Sequence, residues 1–182
     1  MTFVRLHTDS SRWNCIMKKI FLVRHAKSSW KNPTLSDRQR PLNKRGKNNA
    51  PMMAERLKAR GELPELIIAS PAQRAQSTAK KLAAGIGYDW EQVATDEMLY
   101  FQDSYGVLDV IRKTDEQLNS VMVVGHNPDM TELLNDLVGF VTNNMPTCAI
   151  ATLSYEGNWG DLSFGVTELL DYDFPKKDIG LD

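Results

Sequence analysis

The sequence contains few of the residues that build covalently or metal-stabilised folds. It has two cysteines, Cys15 and Cys148, among 182 residues, which excludes a disulfide framework and an all-cysteine zinc site. It has three histidines, His7, His25 and His126. If a histidine performs chemistry in this chain, it is therefore one of these three residues.

The chain also lacks a strong charge imbalance and a long hydrophobic run. Its 22 Lys and Arg residues against 23 Asp and Glu residues leave a net charge of −1, which argues against a nucleic-acid-binding protein or a polybasic membrane module. No segment approaches the roughly 20 apolar residues that cross a bilayer. Residues 1–16 lack the apolar core of a secretory signal, so we expect a cytoplasmic protein with a dispensable or disordered N-terminal extension.

Length and composition indicate one globular domain. At 182 residues the chain is close to the usual size of a single domain, about 100–150 residues. Its hydrophobic fraction of 42% is near the average of globular proteins. No repeat, low-complexity tract or long linker divides it. We predict a single domain over residues 17–176 and a short tail at 177–182.

Strand and helix patterns alternate along this domain. Short apolar runs predict buried strands at 20–23, 66–69 and 121–124, with a weaker strand near 93–94. Amphipathic spacing predicts helices that contain residues 50–57, 75–83, 104–113 and 130–138. Such alternation is typical of a mainly parallel sheet covered by helices on both faces. The predicted fold class is α/β, a three-layer α/β/α sandwich.

The C-terminal part has a different pattern. Segments 149–155 and 162–166 flank the turn-rich EGNWGD and predict a hairpin, which gives the sheet antiparallel character near the C-terminus. Asp171-Tyr172-Asp173 superficially resembles the motif of an aspartyl-nucleophile phosphatase. Its near-terminal position and the following Phe174-Pro175 indicate a tail segment instead.

The residues that follow the three strong strands are the candidates for chemistry. Arg24 and His25 follow the first, Arg74 lies in the first turn of the helix after the second, and His126 follows the third. Ligands of open α/β sheets bind beyond the carboxyl ends of the strands, where helix N-termini add free N–H groups and positive dipole ends. The pattern predicts a pocket for a dianion such as phosphate.

Four segments carry a resemblance to a known family. LVRHAKS at 22–28 resembles the RHG signature of the histidine phosphatase superfamily, whose fold is phosphoglycerate mutase-like. Ala26 in place of the usual glycine is typical of the SixA-type phosphohistidine phosphatases. RPLNKRG at 40–46, SPAQRA at 70–75 and VGHNP at 124–128 resemble three further segments of that branch, in the same order.

The resemblance implies a mechanism without a metal or other cofactor. His25 is implied to be the nucleophile that becomes a transient phosphohistidine, with Arg24, Arg74 and His126 around the phosphoryl group. The neighbouring cations favour a neutral imidazole, which keeps the lone pair that attack requires. Further residues are candidates for substrate binding because they lie near these motifs: Lys27, Ser28, Lys31, Arg40 and Asn127.

A general acid is not evident in the sequence. Glu97 is the candidate, with Asp103 as a second, and both also fit ordinary polar positions. Cleavage of an alkyl phosphate requires an acid to protonate the alkoxide, whereas imidazole leaves phosphohistidine with less help. The expected substrate is therefore a phosphohistidine on a protein such as a phosphotransfer domain. The lack of an insertion long enough to cap the site also favours a protein-borne substrate.

Two other functions stay open at this point. One is a small-molecule phosphomonoester phosphatase or mutase of the same superfamily, and the other is a non-catalytic phospho-binding module. A cysteine phosphatase is excluded, because the positions six residues after the cysteines hold Phe21 and Ser154 instead of arginine. No GxxxxGK[ST] nucleotide-binding loop occurs. The expected partners are phosphorylated proteins or small phosphorylated molecules, with no nucleic acid and no membrane.

Overall fold

The computed structural model describes residues 17–177, so the predicted extension at 1–16 and residues 178–182 of the predicted tail lie outside the described residues. Strands and helices alternate along most of this range. In chain order they are β1 (Met17–Arg24), α1 (Lys44–Ala59), β2 (Leu66–Ala69), α2 (Gln73–Ile86), β3 (Ala94–Thr95), α3 (Asp103–Arg112), β4 (Ser120–Gly125), α4 (Asp129–Val138), β5 (Ile150–Glu156) and β6 (Thr167–Asp173).

The strands form one sheet in the order β3-β2-β4-β1-β5-β6. The first four strands of this order run parallel to one another, and β5 and β6 are added in antiparallel orientation. The predicted α/β class, with a mainly parallel sheet and antiparallel strands near the C-terminus, is confirmed. No helix within residues 17–177 is long and apolar enough to span a bilayer.

Each face of the sheet is covered by its own hydrophobic core. Ile20 and Leu22 of β1 pack into the core beneath α3 and α4, whereas Phe21 and Val23 pack into the core beneath α1 and α2. Successive side chains of a strand point to opposite faces, so every residue of Ile20–Val23 is buried when both faces are covered. The sequences of the central strands are therefore continuous apolar runs.

The second strand of the C-terminal hairpin was predicted at the wrong place. It is β6, over Thr167–Asp173, and not residues 162–166. The cause lies in the connection, where Leu162 is buried in the core after a short 3-10 turn instead of entering the sheet. The segment 171–173 is therefore part of the sheet and not of a tail. The Asp173 carboxylate is bound there by Arg56.

The start of α2 differs from the one that the local sequence favours. Ser70-Pro71 is a pattern typical of an N-cap followed by the first helical residue, but α2 begins at Gln73 with Ala72 as the N-cap. The hydroxyl of Ser70 is thereby available to another partner. Pro51 lies inside α1, which begins seven residues earlier at Lys44.

Candidate active site

The carboxyl ends of β1, β4 and β2 meet at one edge of the sheet, because these strands are neighbours and parallel. A cavity of about 300 Å³ lies there, and we refer to it as the catalytic pocket. It brings together most of the residues that the sequence singled out: Arg24, His25, Lys27, Ser28, Arg40, Arg74, His126 and Asn127. It is also lined by Trp30, Asp37, Phe101 and Thr147.

The hydrogen bonds of His25 determine which ring nitrogen is free to react. Nδ1 lies 2.7 Å from the backbone oxygen of Ala26, and since a carbonyl oxygen can only accept, Nδ1 carries the proton. Arg74 Nε–H donates to His25 Nε2 at 3.3 Å. Nε2 therefore holds the lone pair, and this lone pair faces a cation. A neutral imidazole in this tautomer is a nucleophile at Nε2.

The environment of His25 opposes its protonation. Its pKa is lowered from 6.5 to about 4, chiefly by burial; the hydrogen bond to Ala26 opposes this decrease, and the charges of Arg74, Arg24 and Arg40 contribute to it. An imidazolium here would be both desolvated and surrounded by positive charge. His25 is therefore neutral at physiological pH.

His126 is buried against His25 and has a lowered pKa as well. Its ring centre lies 5.0 Å from that of His25, and Phe101 stacks on it at 4.8 Å. Burial lowers the pKa of His126 to about 2, and the charges of His25 and Arg74 contribute to the decrease. Both histidines of the pocket are therefore neutral, and each can present one donor and one acceptor nitrogen.

Ser70 fixes the tautomer of His126. The Ser70 hydroxyl is fully buried, and its oxygen accepts a hydrogen bond from the backbone N–H of Ala72 at 3.3 Å. Among the described residues, the acceptor within reach of the hydroxyl hydrogen is His126 Nε2, at 2.7 Å, so we assign Ser70 as the donor in this hydrogen bond. The proton of His126 is then on Nδ1, which is buried with no acceptor among the described residues. A ligand oxygen in the pocket is a suitable acceptor for this N–H group.

Arg74 is the central cation of the pocket, and its side chain is 2% exposed. While Nε faces His25, Nη1 donates to the backbone oxygen of Asp37 at 2.6 Å and Nη2 to its carboxylate at 2.8 Å. The same carboxylate accepts from Arg40 Nη1 at 2.6 Å and from the Tyr100 hydroxyl at 3.0 Å. Asp37 thus holds two arginines in position around His25.

Arg24 and Asn127 are tied to the same loop. Arg24 Nη1 donates to Asn144 Oδ1 at 3.1 Å and to the backbone oxygen of Met145. Asn127 Nδ2 donates to the same two oxygens, at 2.6 and 3.3 Å. Arg24 Nε is buried without an acceptor in the described part of the chain, so this N–H can be satisfied by an anion in the pocket.

Ser28 and Trp30 both serve to hold Arg40. Arg40 Nη2 donates to the Ser28 hydroxyl at 2.6 Å, and the guanidinium carbon lies 3.2 Å from the centre of the Trp30 ring, a cation–π arrangement. Trp30 is 72% exposed. Trp30 and Phe101 form part of the pocket wall.

Two predicted residues lie elsewhere. The candidate acid Glu97 does not line the pocket, because its carboxylate is drawn outward to the guanidinium of Arg38 on the exposed surface. Lys31 is exposed and is not part of the pocket lining either. Within residues 17–177, no three His, Cys, Asp or Glu side chains are grouped so that they could hold a metal ion.

Close packing explains why the RPLNKRG segment has a glycine at position 46. A Cβ atom at Gly46 would overlap with the backbone oxygen of Lys27, so only glycine lets α1 approach the loop after His25. That loop is also held by a hydrogen bond from Asn43 N to Lys27 O at 3.0 Å and by an isolated β-bridge between Ser28 and Leu42. The segment therefore shapes one side of the catalytic pocket.

The low pKa of His25 makes stability depend on pH. The unfolded chain protonates this histidine near pH 6.5 and the folded chain near pH 4, so the unfolded state binds more protons between these values and stability falls as pH falls through that window. We expect His25 alone to reduce the free energy of unfolding by about 2 kcal/mol between about pH 7.5 and 5. Urea denaturation at the two pH values measures this decrease.

The matched variant for this measurement is His25→Gln, which cannot titrate in that range. It should lose less stability between the same two pH values than the wild-type protein, by about 2 kcal/mol. Equal pH dependence of the two proteins would show that His25 is not held neutral by the fold.

Sequence reasoning missed Asp37 and Ser70 as members of the site. Asp37 lies three residues before Arg40, a spacing that fits a local ion pair, and Ser70 precedes Pro71, a pattern that fits a helix cap. The sequence signal for Asp37 is its position in the polar loop between the motifs at 22–28 and 40–46. For Thr147, which also lines the pocket, the sequence contains no comparable signal.

Comparison of sequences gives the family. A family model described as the histidine phosphatase superfamily (branch 1) matches residues 20–100. An uncharacterized chloroplastic protein of Arabidopsis thaliana is 31% identical over 160 residues, which is 84% of this chain and 73% of the relative. An uncharacterized protein of Mycobacterium tuberculosis is 27% identical over 164 residues, covering 85% of this chain and all of the relative.

Comparison of structures agrees with this result. A protein from Agrobacterium tumefaciens assigned as the phosphohistidine phosphatase SixA has a TM-score of 0.74 at 28% identity, covering 86% of this chain and 97% of its own. A mycobacterial glucosyl-3-phosphoglycerate phosphatase shares the fold, with a TM-score of 0.63 at 16% identity over 84% of this chain and 97% of its own. The likeness to SixA supports phosphatase activity, and the second likeness shows the fold alone. The chain belongs to the histidine phosphatase superfamily.

Proposed function

We propose that this protein is a phosphatase in which His25 Nε2 attacks phosphorus, and that its substrate is a phosphohistidine carried by another protein. The observation that carries the proposal is the pair of hydrogen bonds on His25. Nδ1–H is directed to the Ala26 oxygen and Nε2 faces the Nε–H of Arg74. The nucleophilic lone pair is thereby directed at the place where cations would hold a phosphoryl group.

In the first step a bond forms between His25 Nε2 and phosphorus, and the bond from phosphorus to the substrate nitrogen breaks. The electron pair of that bond leaves with the substrate imidazole, whose other ring nitrogen already carries a proton, so the imidazole departs neutral. Arg24, Arg74 and the Nδ1–H of His126 would stabilise the charge on the phosphoryl oxygens during this transfer. The product of the step is phosphorylated His25.

In the second step water attacks the phosphorus of phosphorylated His25. The bond from phosphorus to Nε2 breaks, its electron pair returns to Nε2, and a proton from water completes inorganic phosphate. The hydrogen bond from Nδ1–H to the Ala26 oxygen persists through both steps. It keeps the ring in one orientation while Nε2 gains and loses phosphorus.

The carboxylates near the pocket support a leaving group that needs little protonation. Among residues 17–177, Asp37 supplies the only carboxylate that lines it. Partial burial raises the pKa of Asp37, but hydrogen bonds from Arg40, Arg74 and Tyr100 lower it to about 2. Asp37 is therefore ionised and cannot donate a proton to an alkoxide at neutral pH. An imidazole leaving group avoids this requirement.

The proposal is tested by comparing substrates under identical conditions. We expect phosphate release from a phosphohistidine protein or peptide to exceed release from phosphoserine peptides and sugar phosphates by about 10²-fold in kcat/KM, the range that a general acid supplies to poor leaving groups. The activated ester p-nitrophenyl phosphate should be hydrolysed, because its phenolate leaves easily. Preference for one sugar phosphate would favour the small-molecule phosphatase, and binding without any turnover would favour a phospho-binding module.

Ser70→Ala tests how His126 is positioned. Without the hydroxyl donor at Nε2, the His126 proton can occupy either nitrogen, and we expect kcat to fall about tenfold, less than the roughly 10²–10³-fold loss typical of removing an oxyanion donor itself. Nitrogen NMR of the imidazole should show the Nδ1–H tautomer in the wild-type protein and a mixture in the variant.

The control for this substitution is Ser154→Ala. Ser154 is also a buried serine, but it lies on β5 and does not line the catalytic pocket. It should keep wild-type kcat and the wild-type spectrum of His126. An unchanged tautomer in Ser70→Ala would contradict the positioning role.

A further inference from the structure

A second cavity lies beside the catalytic pocket and shares a wall with it. Its volume is about 310 Å³, which falls at the lower end of the range for ligand sites, about 300–1,000 Å³. We call it the side pocket, and its lining consists of Arg45, Asn49, Pro146, Thr147, Phe174, Pro175 and Lys176. Thr147 lines both cavities, so a group bound in one is adjacent to a group bound in the other.

The side pocket has cationic edges, and no described residue in its lining carries a negative charge. Arg45 and Lys176 contribute the charges, and neither forms an ion pair with any described residue. No Asp or Glu within residues 17–177 lines the cavity. This contrasts with the catalytic pocket, where Arg40 and Arg74 are already paired with Asp37. The side pocket therefore attracts a negatively charged group.

The floor of the side pocket is apolar and fixed. Phe174 packs against Tyr172, with ring centres 5.7 Å apart, and its backbone oxygen accepts a hydrogen bond from Arg56 at 3.2 Å. On the other side, the backbone oxygen of Pro146 accepts from the N–H of Ala149 at 3.0 Å. The two walls therefore hold their positions, and no rearrangement is needed to form the cavity.

We propose that the side pocket binds an acidic side chain of the substrate protein, located close to the phosphohistidine. This inference rests on the proposed function, since it requires a protein substrate. The methylene groups of a glutamate or aspartate fit over Phe174 and the two prolines, while the carboxylate reaches Arg45 and Lys176. The apolar floor favours a carboxylate side chain over a second phosphate, because it can contact methylene groups but offers no hydrogen-bond donor to phosphate oxygens.

The test is a series of phosphohistidine peptides in which one glutamate is placed at successive positions on either side of the phosphohistidine. Each peptide has a partner with glutamine at the same position. For the best position we expect the wild-type kcat/KM for the glutamate peptide to exceed that for the glutamine peptide about fivefold, as two partly exposed ion pairs permit. In the double variant Arg45→Gln, Lys176→Gln this ratio should fall to about one.

The matched control is the double variant Lys44→Gln, Lys47→Gln. These lysines are exposed on the same helix, they do not line the side pocket, and their replacement removes the same formal charge. The control should keep the wild-type ratio. If both double variants lost the preference equally, general charge attraction would explain it and the inference would be overturned. A glutamate-to-glutamine ratio of one at every position in the wild-type protein would also overturn the inference. Absence of hydrolysis of any phosphohistidine peptide would overturn the proposed function itself.

Discussion

Replacement of His25 by alanine should eliminate turnover while the protein remains folded. We expect kcat/KM for phosphohistidine peptides and for p-nitrophenyl phosphate to fall by about 10⁴-fold or more, the scale of loss when a covalent nucleophile is removed. His25 is largely buried but faces the catalytic pocket, so a smaller side chain enlarges that pocket without opening the hydrophobic cores. Steady-state kinetics and circular dichroism of the purified variant measure the two expectations.

The same variant identifies the covalent intermediate. Rapid quenching of the wild-type protein with a radiolabelled phosphoryl donor should trap an acid-labile label on His25, and His25→Ala should trap none. The matched control is His126→Ala, which removes the other histidine of the pocket. It should still acquire the label, more slowly, because its nucleophile is intact. Near-normal turnover by His25→Ala would refute the assignment of the nucleophile.

The second large effect is expected for Arg74→Ala. This arginine is almost completely buried, and its three donor nitrogens contact His25 and Asp37. Its removal takes away a cation that would stabilise the transferring phosphoryl group and releases the loop that Asp37 holds. We expect kcat/KM to fall by about 10²–10³-fold. The measurement is p-nitrophenyl phosphate hydrolysis, which does not depend on the identity of the protein substrate.

Two further variants separate the role of Arg74 from charge alone. Arg74→Lys keeps a positive charge but cannot contact both residues with a planar fork, so it should recover only a small part of the lost activity. Arg38→Ala removes an exposed arginine of the neighbouring segment whose partner is Glu97. Arg38→Ala should leave kcat/KM unchanged. A large decrease in kcat/KM of this variant would indicate that Arg38 and Glu97 take part in catalysis.

The parts of the fold that were predictable are those where local pattern and tertiary burial agree. The central strands are buried on both faces, so residues such as Ile20 and Val123 form continuous apolar runs that can be recognised without a structure. β6 was misplaced because it lies at the edge of the sheet. Its exposed residues, Leu169 and Leu170 among them, give it no uniform burial pattern.

A similar distinction applies to the candidate site. His25, Arg74 and His126 were predictable because each follows a strand, and parallel neighbouring strands bring such positions together. The contact of Asp37 with Arg74 was not predictable, because it depends on how the loop between β1 and α1 folds back over the sheet. The hydrogen bond from Ser70 to His126 depended in turn on α2 starting later than the local sequence suggests.

Asp37 has a consequence for the end of the proposed catalytic cycle. Its single carboxylate is paired with both Arg74 and Arg40, so phosphate bound to these two arginines must compete with an anion that is covalently part of the protein. The affinity for the released product is reduced by the free energy of that exchange. Without Asp37 the two arginines would bind phosphate more tightly, so in the proposed cycle this carboxylate favours product release.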